Sequence, residues 1–87
     1  MNTQLNSLTM RPAAVNDAKA LRRLAQLDSK HEPSGEALVA EMNGELLAAV
    51  PLDGGPAIAD PFERTAEIVS LLRARANQVN AAEPMAA

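Results

Sequence analysis

The sequence predicts an α+β domain: a small, mostly antiparallel sheet of about four strands carrying two helices, in the order β-α-β-β-β-α. Three observations predict it. Asn43-Gly44 stands between two apolar runs, and this dipeptide is a strong hairpin signal because both residues tolerate positive φ. Two other segments carry apolar residues at helical spacing. The chain has 87 residues, which fits one small domain near the lower size limit for a self-sufficient core.

Residues 1–7 are polar and read as a flexible N-terminus. Leu8-Thr9-Met10-Arg11 alternates apolar and polar, the pattern of a half-buried strand, and Pro12 ends it. Asn16 or Asp17 can cap a first helix, with Val15 just outside as a hydrophobic staple. That helix places Ala20, Leu21, Leu24, Ala25 and Leu27 on one face and Lys19, Arg22, Arg23 and Gln26 on the other. It ends around Asp28 to Lys30. Lys30-His31-Glu32-Pro33-Ser34-Gly35 is a loop by composition.

Leu38-Val39-Ala40-Glu41-Met42 and Glu45-Leu46-Leu47-Ala48-Ala49-Val50 are the two hairpin strands. Pro51 removes a backbone donor, so it belongs at a strand end. Asp53-Gly54-Gly55-Pro56 makes a second turn, and Ala57-Ile58-Ala59 a short last strand. Thr65 can cap the last helix, with Glu67 favourable in its first turn. Ile68, Leu71, Leu72, Ala76 and Val79 form its buried stripe. Residues 80–87 read as a flexible C-terminal tail, which leaves 8–79 as the single folded unit.

Composition narrows the function classes. Apolar residues are 47% of the chain, yet Phe62 is the one aromatic and alanine is abundant, so Leu, Val, Ile and Met carry the burial. The net charge of −3 argues against nucleic acid as a partner, since a phosphate backbone needs a basic footprint. Cysteine is absent, which excludes thiolate catalysis and cysteine-held metals. No run approaches the roughly 18 apolar residues of a membrane span, and the expected location is the cytoplasm. His31 is the sole histidine and lies in a polar loop without an orienting partner, so no catalytic residue and no metal ligand is expected. Ser, His and Asp are present but no nucleophile-elbow context gathers them. Lys19, Arg22 and Arg23 form a basic stripe that reads as a solvated helix face. Met10 and Met42 read as core filler.

The order of several pieces resembles the GNAT family of acyl-CoA-dependent N-acetyltransferases. The pieces are Leu8-Thr9-Met10-Arg11-Pro12-Ala13, a helix opened by Asn16-Asp17, Val39-Ala40-Glu41 with the Asn43-Gly44 turn, and Asp60-Pro61 leading into a loop and helix. The resemblance covers residues 8–79 and corresponds to the N-terminal half of that fold. It implies a loop of the pattern Arg/Gln-x-x-Gly-x-Gly/Ala, whose backbone amides grip the cofactor pyrophosphate at a helix N-terminus. The corresponding segment here is Arg64-Thr65-Ala66-Glu67-Ile68-Val69. Glu67 and Val69 stand where glycines let backbone approach phosphate, and Glu67 adds a negative charge. No cofactor is therefore expected.

The function expected is a non-catalytic protein-interaction or regulatory module that resembles half of an acetyltransferase domain. The half-fold would leave Ala57-Ile58-Ala59 as a sheet edge with unpaired backbone groups, an edge for a homodimer or for another protein chain. The alternative is a split or atypical acetyltransferase completed by a partner chain, with Arg64 still touching a phosphate.

Overall fold

The computed structural model describes residues 8–82. The expected flexible N-terminus, residues 1–7, lies outside them, as do residues 83–87 of the expected tail. The architecture is α+β. Strands β1 (Leu8–Pro12), β2 (Ala37–Met42), β3 (Glu45–Pro51) and β4 (Ile58–Ala59) form one antiparallel sheet in the spatial order β1-β2-β3-β4. Helix α1 (Ala18–Leu27) follows a single 3₁₀ turn at Val15–Asp17, and helix α2 (Ala66–Ala82) closes the described chain.

The helices lie on opposite faces of the sheet. On one, Leu24 and Ala25 of α1 pack with Val39, Leu46, Ala49 and Ile58. On the other, Leu72 and Ala76 of α2 pack with Leu38, Ala40, Ala48 and Val50. β2 and β3 are thus buried on both sides, which is why they read as continuous apolar runs rather than alternating ones. Ala40, Ala48 and Ala49 are fully buried at the sheet centre. Their small side chains bury little area themselves but let both helices come close to the backbone.

The hairpin turn is as the sequence demands. Asn43 and Gly44 both have positive φ, +54° and +84°, the type I′ requirement. Just beyond it lies a bulge that periodicity could not reveal. The register passes from Ala40 opposite Ala48 to Glu41 opposite Leu46, so Leu47 is an extra residue on β3. The inserted residue reverses the side-chain alternation, and Leu46 joins Ala49 on the α1 side.

Several expectations are corrected. Val15 is 94% exposed and staples nothing. In α2, Leu71 is 49% exposed, and Val69 takes its expected place against the sheet beside Ile68 and Leu72. Leu71 lies about 100° from Leu72 around the helix, whereas Val69 and Ile68 lie within about 60° of it. Residues 80–82, expected in the tail, are helical, and Asn80 donates from Nδ2 to the Leu52 carbonyl at 3.0 Å. Arg73, seven residues earlier and on the same flank, donates to the Gly55 carbonyl at 3.3 Å. These two bonds fasten α2 to the β3–β4 connection. Among the described residues no helix is long and apolar enough to cross a membrane.

Candidate functional site: the β4 edge and the β4–α2 joint

The joint between β4 and α2 is organised by Asp60, a buried carboxylate. Its Oδ1 accepts the Phe62 N–H at 2.8 Å, and its backbone carbonyl accepts the Glu63 N–H at 3.3 Å. The short polar side chain mimics a backbone turn, as aspartate does when it folds back two residues on. Thr65 precedes the first helical residue, and its carbonyl accepts the Val69 N–H at 2.8 Å. Its hydroxyl points at the Asp60 carbonyl, 3.5 Å away, rather than at a free helical N–H. Thr65 is the cap by position, and its side chain braces the joint.

The segment Arg64-Thr65-Ala66-Glu67-Ile68-Val69 divides by burial. Arg64, Ala66 and Glu67 are exposed, while Ile68 and Val69 pack against the α2-side core. Val69 therefore has a packing role that a glycine would forfeit. A shallow concavity opens in front of the helix, lined by Pro61, Glu63, Arg64, Thr65, Ala66 and Glu67. Two carboxylates and one guanidinium face that space. Glu67 offsets the positive end of the helix dipole, which would otherwise favour an anion.

The β4 edge differs from the expectation drawn for Ala57, Ile58 and Ala59. Ladder pairing covers Ile58 and Ala59 only, opposite Ala49 and Ala48. Asp60 donates its N–H to the Leu47 carbonyl, so by alternation the Ala59 N–H points away from β3. That outward N–H is not unpaired: it donates to Asp28 Oδ2 at 3.1 Å. The Ala57 carbonyl accepts from Lys30 Nζ at 3.3 Å. The Ile58 side chain is buried in the α1-side cluster, and Ala57 and Ala59 pack on the α2 side. The strand is a working part of the core with its edge occupied by side chains.

A polar cluster that sequence reading did not single out sits at the opposite end of the sheet. Arg11 on β1 reaches Asp17 with two bonds, Nη1 to Oδ2 at 2.7 Å and Nη2 to Oδ1 at 3.0 Å. Its Nε donates to Glu41 Oε1 at 3.0 Å across the β1–β2 pair. Asp17 Oδ2 also accepts the Ala14 N–H at 2.6 Å, closing the turn that leads into α1. The Arg11 hydrogen bonds, then that backbone N–H, pull the Asp17 carboxyl from its ordinary 3.8 down to about 2. The same partners raise the Arg11 guanidinium above its usual value. The sequence signal was an arginine on the strand face opposite Leu8 and Met10, followed six residues later by an acid at a helix start. The arrangement is structural: all three charged groups satisfy one another, and no reactive group stands open among them.

The remaining candidates are dispersed. His31 is exposed in its loop. Among the described residues no group of three histidine or acidic side chains converges as a metal site would require. Of the basic stripe, Arg22 lies 3.6 Å from Glu32 and Arg23 4.0 Å from Glu45, so acids of neighbouring elements answer two of its three charges. Met10 packs against the α2-side core.

Apolar surface is left beside α2. The helix lies over β3 and β2. On the same face of β1, Leu8 and Met10 are only half-buried. Leu71 projects from the α2 flank opposite Arg73. Val79 continues the Leu72 line one heptad on but is 38% exposed. It overhangs a groove of about 330 Å³ that it lines with Pro12, Ala13, Glu36, Ala37, Leu38 and Leu52. Compared with protein-family models, with curated proteins and with solved structures, the chain gives no match.

Proposed function

We propose that this chain is a non-catalytic protein-interaction module, half of an acetyltransferase-like fold that has lost its cofactor grip, and that it associates with a second copy of itself or with another chain. The observation that carries this reading is the set of partly exposed apolar side chains around α2: Leu71 and Val79 on the helix, with exposed Arg75 between them on the same row, and half-buried Leu8 and Met10 on β1. Contiguous exposed apolar surface rimmed by polar residues marks a protein contact, and Arg75 would form part of such a rim. The contact lies on the face of the sheet rather than at the β4 edge, whose outward N–H at Ala59 and carbonyl at Ala57 are already hydrogen-bonded. Loss of the cofactor grip is supported by Val69, whose half-buried side chain packs against the core, and by the carboxylates of Glu63 and Glu67 at the start of the helix.

Sedimentation equilibrium across a concentration series tests the reading. The native chain should approach twice its monomer mass, and Leu71→Asp with Val79→Asp should remain monomeric while keeping the native circular dichroism. A native chain that is monomeric throughout, and whose melting temperature rises on adding acetyl-CoA, would instead favour the acetyltransferase completed by a partner.

A further inference from the structure

The last turn of α1 ends in a form that has a consequence for β4. Lys30 donates its N–H to the Ala25 carbonyl at 2.9 Å, and Ser29 donates its N–H to the Gln26 carbonyl at 3.2 Å. This 6→1 and 5→2 pair is the Schellman termination, which needs its 5→2 donor in the left-handed conformation. Ser29 supplies it at φ +54°, a conformation that costs a residue with a Cβ and that glycine would take freely. The sharp reversal at Ser29 turns the side chains on either side of it, Asp28 and Lys30, toward the same strand edge.

There the two side chains complement the backbone. Asp28 Oδ2 takes the Ala59 N–H, as the carbonyl of an added strand would. Lys30 Nζ gives to the Ala57 carbonyl, as the N–H of an added strand would. The two heads lie 3.4 Å from each other and so hold one another in place. We propose that Asp28 and Lys30 form a built-in guard that keeps β4 from accepting the strand of a second copy of this chain. A strand pairs about 4.8 Å from its neighbour, and the guard occupies that position. To pair, an incoming backbone must displace both side chains or bury the ion pair beneath it, and burying charge is costly. An edge strand in a protein that associates by another face needs such protection, because an unguarded edge pairs without selectivity.

The test reads the Ala59 amide by hydrogen exchange alongside mass by sedimentation. In the native chain, and in Asp28→Asn, which keeps a carbonyl acceptor, protection of the Ala59 amide relative to that of the Val39 amide on central β2 should not rise with protein concentration, because association through the α2 side stabilises the whole fold. In Asp28→Ala with Lys30→Ala, that amide should exchange about fivefold faster in dilute solution, the loss of one ordinary hydrogen bond. As concentration rises its protection should climb above the native value, and the mass should exceed that of the native chain at equal concentration. Lys30→Ala alone, which leaves the α1 termination and the Ala59 bond intact, should show the same concentration dependence more weakly and guards against a double variant that fails to fold. Two outcomes overturn the proposal. One is a folded double variant, or a folded Lys30→Ala chain, whose Ala59 protection and mass match the native chain at every concentration. The other is a native chain whose Ala59 protection rises with concentration by more than that of Val39.

Discussion

Arg11 and Asp17 face each other through two parallel bonds, 2.7 and 3.0 Å long, tying the first strand to the turn that starts the first helix. Asp17 is buried and Arg11 is about one-third exposed, so removing the guanidinium leaves the carboxylate enclosed without its main partner. Arg11→Ala should lower unfolding free energy by about 1–3 kcal/mol, the cost of an unsatisfied buried polar group. Urea denaturation followed by circular dichroism measures it. A loss under a few tenths of a kcal/mol would mean that solvent replaces the pair.

The same pair sets a pH dependence. The folded carboxyl of Asp17 titrates at about 2, below its ordinary 3.8. A depressed carboxyl stabilises the fold fully above about pH 4, and that stabilisation is lost as the pH falls through the folded value. The contribution at neutral pH is about 2 kcal/mol at 1.36 kcal/mol per pH unit of displacement. Urea midpoints should therefore fall between pH 4 and 2. In Asp17→Asn the neutral-pH midpoint should be lower and the fall over that interval shallower. Identical slopes in the two proteins would assign the acid sensitivity to other carboxylates.

Burial along α2 predicts a steep contrast between neighbours. Leu72 is fully enclosed against Ala48 and Val50, and Leu72→Ala should cost about 2–5 kcal/mol. Leu71 projects from the flank, and at concentrations where the chain is monomeric Leu71→Ala should stay within about 0.5 kcal/mol of native, as should Arg22→Ala on the exposed side of α1. Ile58→Lys should unfold the chain rather than disturb an edge, because Ile58 packs with Leu24 and Val39. Chemical denaturation ranks all four.

Ser29 offers a gain. It holds φ +54° at the end of α1, where glycine pays no Cβ penalty. Ser29→Gly should raise stability by about 1 kcal/mol while leaving the Asp28 and Lys30 contacts in place. A decrease in melting temperature would show that the serine side chain contributes more than its backbone strain costs.

The elements that the sequence determined are those whose signals are local. Asn43-Gly44 fixed a two-residue hairpin because few residues accept two successive positive φ values. The apolar runs on either side fixed β2 and β3, and helical spacing fixed the existence of α1 and α2. Pro12 and Pro51 marked strand ends because each lacks a donor. What the tertiary structure decided is what depends on residues far apart in the chain. The bulge at Leu47 depends on how β3 meets β2, and it alone moves Leu46 to the α1 side. Val69 rather than Leu71 faces the sheet because the sheet, not the helix, sets which 100° of a mixed apolar surface is covered. Arg11 and Glu41 are 30 residues apart, and their meeting required the β1–β2 register. The edge of β4 followed the same logic. Its strand was legible as Ala57-Ile58-Ala59, but its protection comes from Asp28 and Lys30 about 30 positions earlier, and only the folding of α1 against β4 brings a carboxylate to an amide that local sequence leaves without a partner.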